Sequence, residues 1–323
     1  MQALCDSSAS PPPLRIRNLR DNNPPEWVAR YVDGSTDEWS GRIYKEFNAQ
    51  SVHVITPFKI PDEWPCIVTM DAGGDHPRAI LVLRQDPHAG DVFLTNEFYK
   101  AGTLMATMAS WIKNPAHSGI PHWQDAEYIC DPANKQVIFE FQDVHRLNVF
   151  PAQKGPKLPG IHRVSGYMHR IPGRIKRIPD QLAKHPLADG GDILITDAPY
   201  LWFFNRCTNT ITEHEEWCWD YDQRTNESKN KPVDKNDHTC DALIYGLRNL
   251  PSLEEVIKND PQMEAMKKSD YFSYKEALRV AQEKSWAADI DSSNIQGAGE
   301  AYLTEVGSDD EIDRRSEREP IEY

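Results

Sequence analysis

The feature that most restricts the fold is a succession of short apolar runs, each closed by turn-forming residues, that begins at Cys66. Ile67 to Asp71, Ala79 to Arg84 and Val92 to Tyr99 are rich in Ile, Val, Leu, Phe and Thr, and Ala72-Gly-Gly-Asp and Pro87-His-Ala-Gly lie between them. Runs of this length and content are strands, and short links join them as an antiparallel meander. Helical spacing then takes over at Leu104 to Lys113. A strand returns at Glu127 to Cys130, a second helix is expected at Lys135 to His145, and a strand at Leu147 to Phe150. The order β-β-β-α-β-α-β predicts an α/β fold, a mixed central β-sheet flanked by helices.

Beyond this block the pattern predicts a helix at Ile161 to His169, a strand at Asp192 to Thr196, an aromatic stretch from Trp202 to Tyr221 and a last helix from Asp237 to Arg248. Upstream, Arg42 to Pro61 reads as short strands and turns, and Trp27, Val28, Tyr31 and Val32 have helical spacing. Residues 1–24 are polar and Pro-rich and are expected to form a flexible arm, residues 25–250 the folded domain, and 251–323 an acidic, partly disordered tail. An amphipathic segment at Tyr274 to Trp286 interrupts that tail.

With 39% hydrophobic residues, the chain has enough apolar material for a sizeable core, and no apolar stretch approaches bilayer length. A soluble protein without a signal peptide is expected. The six cysteines form no C-x-x-C pair, which favours buried thiols over a zinc site. The net charge is −14, of which the residues after Leu250 carry −9. One segment reverses the sign: between Lys154 and His185, Lys154, Lys157, Arg163, Arg170, Arg174, Lys176, Arg177 and Lys184 face Asp180 alone. Such a run can contact phosphates without reading bases, or it can be a solvated face. His214-Glu-Glu-Trp-Cys218 departs from H-E-x-x-H at its second ligand, which argues against a zinc protease. Trp202, Phe203, Phe204, Trp217, Trp219 and Tyr221 are expected in the core rather than on a base-stacking surface.

Three carboxylates stand where chemistry is plausible. Asp71 ends an apolar run before Gly73-Gly74, Asp131 ends Tyr128-Ile-Cys130 before Pro132, and Asp241 lies three residues after His238 on the last helix. If the two strands are adjacent, Asp71 and Asp131 share a sheet edge, and the helix can lay Asp241 across it. Converging carboxylates call for a cation, and Mg²⁺ or Mn²⁺ suits oxygen ligands; two such ions can activate water against a phosphodiester. Each residue alone also has an ordinary role: Asp71 and Asp131 in turns, Asp237 as a helix cap. His238 and Glu97 are candidate supplementary ligands.

These residues also carry a resemblance. Gly41-Arg-Ile-Tyr-Lys-Glu-Phe47, Val52 to Phe58, Ile67-Val-Thr-Met-Asp71-Ala-Gly-Gly, Thr95-Asn-Glu97-Phe-Tyr-Lys-Ala-Gly102, Tyr128-Ile-Cys-Asp131-Pro-Ala, Asn148 to Gly155 and Asp237-His-Thr-Cys-Asp241-Ala-Leu-Ile-Tyr245 resemble, in order, the nuclease domain of tailed-phage large terminases. The resemblance spans roughly residues 25–250. It implies an RNase H-like fold and a divalent-metal endonuclease that cuts concatemeric viral DNA during packaging in the host cytoplasm. Asp71, Asp131 and Asp241 match the catalytic positions, and Glu97 and His238 match further metal positions. Double-stranded DNA, a terminase ATPase domain or subunit, the portal protein and the small terminase subunit are the implied partners, with no membrane. Complete terminases carry a P-loop; this sequence has no Gly-Lys dipeptide, so the ATPase is expected elsewhere. Two other readings stay open: an RNase H-like module that binds DNA or a partner without cutting, and a resolvase- or transposase-type nuclease.

Overall fold

The structure is a computed structural model that describes residues 41–72, 76–153, 155–179, 192–221 and 228–289. The proposed arm at 1–24, the helical spacing at Trp27, Gly73-Gly74, Lys154, Asp180, Lys184 and the chain after Asp289 lie outside these residues.

The expected meander is present as β2 (Cys66–Asp71), β3 (Arg78–Gln85) and β4 (Val92–Lys100), each antiparallel to the next. On one side, β5 (Glu127–Cys130) pairs parallel with β2 and β6 (Val149–Pro151) parallel with β5. On the other, β9 (Leu201–Phe204) pairs parallel with β4, and β1 (Val54–Ile55) parallel with β9. The result is a seven-stranded mixed sheet in the order β1-β9-β4-β3-β2-β5-β6. Two hairpins stand apart from it, β7 (Ile175–Pro179) with β8 (Asp192–Thr196) and β10 (Trp219–Tyr221) with β11 (Ser228–Pro232).

Side chains alternate across a strand, and the near-continuous apolar runs of β2 and β3 therefore feed two cores. Val68, Met70, Ile80 and Val82 point to one face, where α1 (Met105–Ile112) and α3 (Lys135–Asp143) cover them; the short α2 (Pro115–Ser118) follows α1. Ile67, Leu81 and Leu83 point to the other. That face is covered by α4 (Lys157–Met168), α5 (Thr208–Glu216) and α6 (His238–Arg248). Of the aromatic stretch expected in the core, Trp202, Phe203, Phe204 and Trp217 are buried there and Trp219 is partly buried against it, while the Tyr221 side chain lies outside the described residues.

The tail expected after Leu250 requires correction. Its first part forms α7 (Leu253–Asn259), α8 (Pro261–Ser269) and α9 (Tyr271–Asp289). Leu253, Val256, Ile257, Met263, Tyr274, Ala277 and Ala281 join the same core as α4 and α6. Glu255, Glu264 and Asp270 are exposed on or beside these amphipathic helices, while Asp260 is buried.

Two close approaches fix α6. A methyl group at Gly246 would stand 2.6 Å from Thr69 Cγ2 and 2.7 Å from Leu83 Cδ1, so the helix can lie this near the sheet only without a side chain there. On its other flank, a methyl at Gly160 of α4 would overlap Ile244 and Arg248. Both contacts set the height and angle at which the first turn of α6 crosses the sheet.

Candidate active site

Asp71 is the last residue of β2, and Asp131 directly follows β5. Because Met70 registers with Cys130 in parallel strands, and the Asp131 amide donates to Met70 O at 3.2 Å, the two carboxylates occupy one edge of the sheet on neighbouring strands. Adjacent strands are about 4.8 Å apart, so the pair is brought close by pairing alone. Asp241 arrives from the first turn of α6, where the positive end of the helix dipole favours a carboxylate.

Each carboxylate has its own support. The His238 Nδ1–H donates to Asp71 Oδ2 at 3.0 Å, and this bond, with the nearby charges of Asp71, Glu213 and Asp237, holds the imidazole pKa above its usual value. Asp131 Oδ1 accepts from the Ala133 amide at 2.8 Å, so it also performs the turn role common for Asp before such a segment. The Tyr245 side chain lies one turn beyond Asp241; burial and then the charges of Asp241, Asp131 and Asp71 push its pKa up, so it keeps its proton.

Lys157, the first residue of α4, reaches into the cluster. Its Nζ lies 2.7 Å from Asp237 Oδ2, and 2.9 and 3.0 Å from Asp241 Oδ1 and Oδ2. Asp241 Oδ1 is buried and gains no well-directed hydrogen bond from it. Burial raises the Asp241 pKa to about 7; Lys157 opposes this, while Asp237 and Asp71 add to it. For Lys157 the balance is reversed: burial pulls its pKa down, but Asp241 and Asp237 hold it above the ordinary lysine value.

Sequence reasoning assigned Asp237 a capping role, yet its side chain makes no cap hydrogen bond and is buried against Lys157. The cap of α6 comes from Glu213 of α5, whose Oε2 accepts from the Thr239 amide at 2.7 Å and its hydroxyl at 2.5 Å, and whose Oε1 accepts from the Tyr99 hydroxyl at 2.7 Å. Glu97 requires the opposite correction. It does not join the carboxylates: Oε1 accepts from the Asn209 amide and Nδ2, and Oε2 from the Thr210 amide and hydroxyl, all at 2.7–2.8 Å. Four donors at the N-terminus of α5 saturate it.

The basic segment divides in the same way. Arg174 is 1% exposed and lies in an ion-pair cluster with Asp91 at 2.7 Å and Asp260 at 3.0 Å, so it cannot touch phosphate. Lys176 pairs with Asp91 and Asp86. These aspartates flank the β3–β4 link, at the opposite end of the sheet from Asp71. Arg163 braces the end of α6 through Leu247 O, Leu250 O and Pro251 O. Arg170 and Arg177 remain exposed. Lys157 belongs to the carboxylate cluster, and Lys154 lies outside the described residues.

Among the described residues, no three His, Cys, Asp or Glu side chains are gathered tightly enough to hold a metal ion as they stand. The donor set nonetheless suits a hard cation: carboxylate oxygens, one of them buried and without a directed hydrogen bond. Among the same residues, no helix is long and apolar enough to cross a membrane.

Residues 187–249, which include His238 and Asp241, match the family model described as the terminase RNAseH like domain. No curated protein matches the chain. Among solved structures, the large terminase of thermophilic bacteriophage D6E in complex with ADP is 18% identical, with a TM-score of 0.49, over 65% of this chain and 45% of that one. The nuclease domain of the large terminase of bacteriophage SPP1 with bound Mn is 15% identical (TM-score 0.43, 62% of this chain, 96% of that one). The P22 large terminase nuclease domain is 18% identical (TM-score 0.44, 64% and 91%). The chain spans about half the length of the D6E terminase it matches. The family match, with a meander extended by parallel β5 and β6, identifies the fold as RNase H-like.

Proposed function

We propose that this chain, which carries a terminase RNase H-like domain, is a divalent-metal-dependent DNA endonuclease that cuts concatemeric viral DNA during genome packaging. One observation carries the reading: Asp71 and Asp131 close neighbouring parallel strands, and the helix bearing Asp241, within the family match, crosses that edge. Asp71, Asp131 and Asp241 would hold Mg²⁺ or Mn²⁺, with two ions the fullest form, and the cation would supply water activation and stabilisation of the departing oxygen. The SPP1 domain has bound Mn, and a G20c large terminase nuclease has bound cobalt, which supports the same class of ion here. The chain's own groups prepare the site. His238 orients Asp71, the Ala133 amide holds Asp131, and the buried first turn of α6 holds Asp241 in a medium where a cation is bound more strongly than in water.

DNA would be double-stranded, with exposed Arg170 and Arg177 as phosphate contacts. Translocation would come from a terminase ATPase domain or subunit, with the portal and small terminase subunit as further partners in the host cytoplasm. The test is nicking of supercoiled plasmid with Mn²⁺, Mg²⁺ or EDTA. Wild type is expected to cut only with metal, and Asp71→Asn and Asp241→Asn to lose cutting while keeping the wild-type circular dichroism spectrum. Unchanged cutting by both variants would refute the site. The alternative is a DNA-binding module without cleavage; retention of plasmid without nicking under every metal would establish it. Faster cleavage of branched than linear DNA would favour a resolvase-type enzyme.

A further inference from the structure

Lys157 is not placed like an ordinary surface lysine. It opens α4, and the chain just before it is tied down by Arg248 of α6, which donates to Gln153 O at 3.4 Å, Gly155 O at 3.3 Å and Pro156 O. Three residues on, Gly160 presses against Ile244 and Arg248 of the same helix. The backbone of Lys157 is therefore fixed relative to α6, and its side chain returns along that helix to the first turn. There the ammonium bridges Asp237 and Asp241 and lies 4.9 Å from the centroid of the Trp217 ring. An exposed lysine pair contributes little and is rarely held from several sides. Here two carboxylates, an aromatic face and two anchored helices converge on one amine.

The charges explain why a cation belongs at this point. Asp71, Asp131, Asp237 and Asp241 share one end of the sheet, and in a partly dry setting like charges at such distances repel strongly unless neutralised. Lys157 supplies positive charge to two of them, while His238 faces the Asp71 side. Its ammonium already sits on oxygens of Asp237 and Asp241 that a divalent ion held by Asp241 would have to share.

Resting on the proposed nuclease reading, we propose that Lys157 is a tethered counter-cation: it neutralises Asp237 and Asp241 while no divalent ion is bound, and it is displaced from Asp241 when one binds. Lys157 is a positioning residue in this scheme. It keeps the ion-free carboxylates folded inward and sets the threshold of divalent concentration at which the site fills.

The full chain, free of DNA, is titrated with MnCl₂ by calorimetry as wild type and as Lys157→Met. Removing a competing charge a few ångströms from the ion is expected to tighten Mn²⁺ binding by about tenfold or more. Separately, wild-type lysines are labelled by reductive methylation with and without saturating Mn²⁺, and the Lys157 peptide is quantified by mass spectrometry. Its labelling is expected to rise several-fold with the ion, because the ammonium has been released. Equal or weaker Mn²⁺ affinity in Lys157→Met overturns the proposal, and so does Lys157 labelling that stays level or falls; the labelling decides alone if the variant does not fold. If wild type binds no Mn²⁺, the metal-site reading and this inference fall together. If wild type binds it but the variant binds no tighter, only the role of Lys157 falls.

Discussion

Replacing Arg174 with methionine separates two roles that the sequence alone left mixed. The guanidinium is buried, donates to Asp91 at 2.7 Å, to Asp260 at 3.0 Å and to Pro199 O at 2.6 Å, and stacks on the Tyr200 ring with its central carbon 3.6 Å from the centroid. Removing one partner of a buried ion pair costs about 3–5 kcal/mol. Here the carboxylates left behind are not orphaned. Asp91 keeps Lys176 at 2.5 Å and Trp202 Nε1 at 2.7 Å, and Asp260 keeps the Tyr200 hydroxyl at 2.8 Å and the Gln262 amide at 2.9 Å. The lower end, about 3 kcal/mol, is therefore expected. Against a total stability of about 5–15 kcal/mol, that is a large fraction. Urea unfolding of wild type and Arg174→Met gives the difference directly, with equal m-values as the sign that only stability changed. DNA affinity measured across a salt series, where both proteins are folded, is expected to keep the wild-type slope. A loss under about 1 kcal/mol, together with a salt slope reduced by about one, would refute the buried assignment and return Arg174 to the phosphate interface.

Glu97→Gln is expected to lower stability by about 1–3 kcal/mol through the weakened N-terminus of α5 and to leave Mn²⁺ affinity unchanged; a calorimetric loss of Mn²⁺ binding would make Glu97 a ligand after all. Gly246→Ala is expected to cost about 1–3 kcal/mol, because the new methyl meets Thr69 and Leu83, and to reduce nicking by shifting Asp241; a variant as stable and active as wild type would contradict the close approach. The pH dependence follows from Asp241, whose pKa of about 7 in the folded chain lies above the usual 3.8. Between these values the native state holds a proton that the unfolded chain has lost, so this group subtracts stability as pH rises from about 4 to about 7 and no further above it. Urea unfolding in EDTA is expected to show that fall in wild type and a flatter profile in Asp241→Asn, and identical profiles would remove the shifted carboxylate. Charge reversal of Arg170 and Arg177 is expected to lower the DNA salt slope by about two; an unchanged slope would exclude them from the interface.

The central sheet was legible because its strands announce themselves locally. Buried on both faces, β2 and β3 are almost unbroken apolar runs, and the turns beside them hold Gly, Pro and Asp. Helix α6 was equally plain, from the spacing of Leu243, Ile244 and Leu247. What sequence could not supply was the destination of each polar group. Glu97 looks like any carboxylate on a strand, and only the folded arrangement delivers the start of α5 to its two oxygens. Arg174 and Arg177 read alike in a basic run, yet one is buried between two aspartates and the other faces water. The start of α4 was set too late because Pro159 and Gly160 look like breakers; proline is tolerated in a first turn, and the glycine is needed for the crossing with α6. The helices after Leu250 had a readable sign, Ser252 with Glu255 three residues on, which the structure shows as a capping box. Acidic composition concealed it.

The two glycine contacts on α6 have a bearing on how this domain can respond to what it binds. With the sheet under Gly246 and α4 against Ile244, the helix is gripped on opposite flanks and has no slack in which to slide or roll. Adaptation at the sheet edge is thereby left to torsions of Asp237, Asp241 and Lys157, which are quick and local. A domain arranged in this manner would respond by re-pairing side chains over a stationary frame, and a partner that governs it would have to reach those few torsions instead of bending the scaffold.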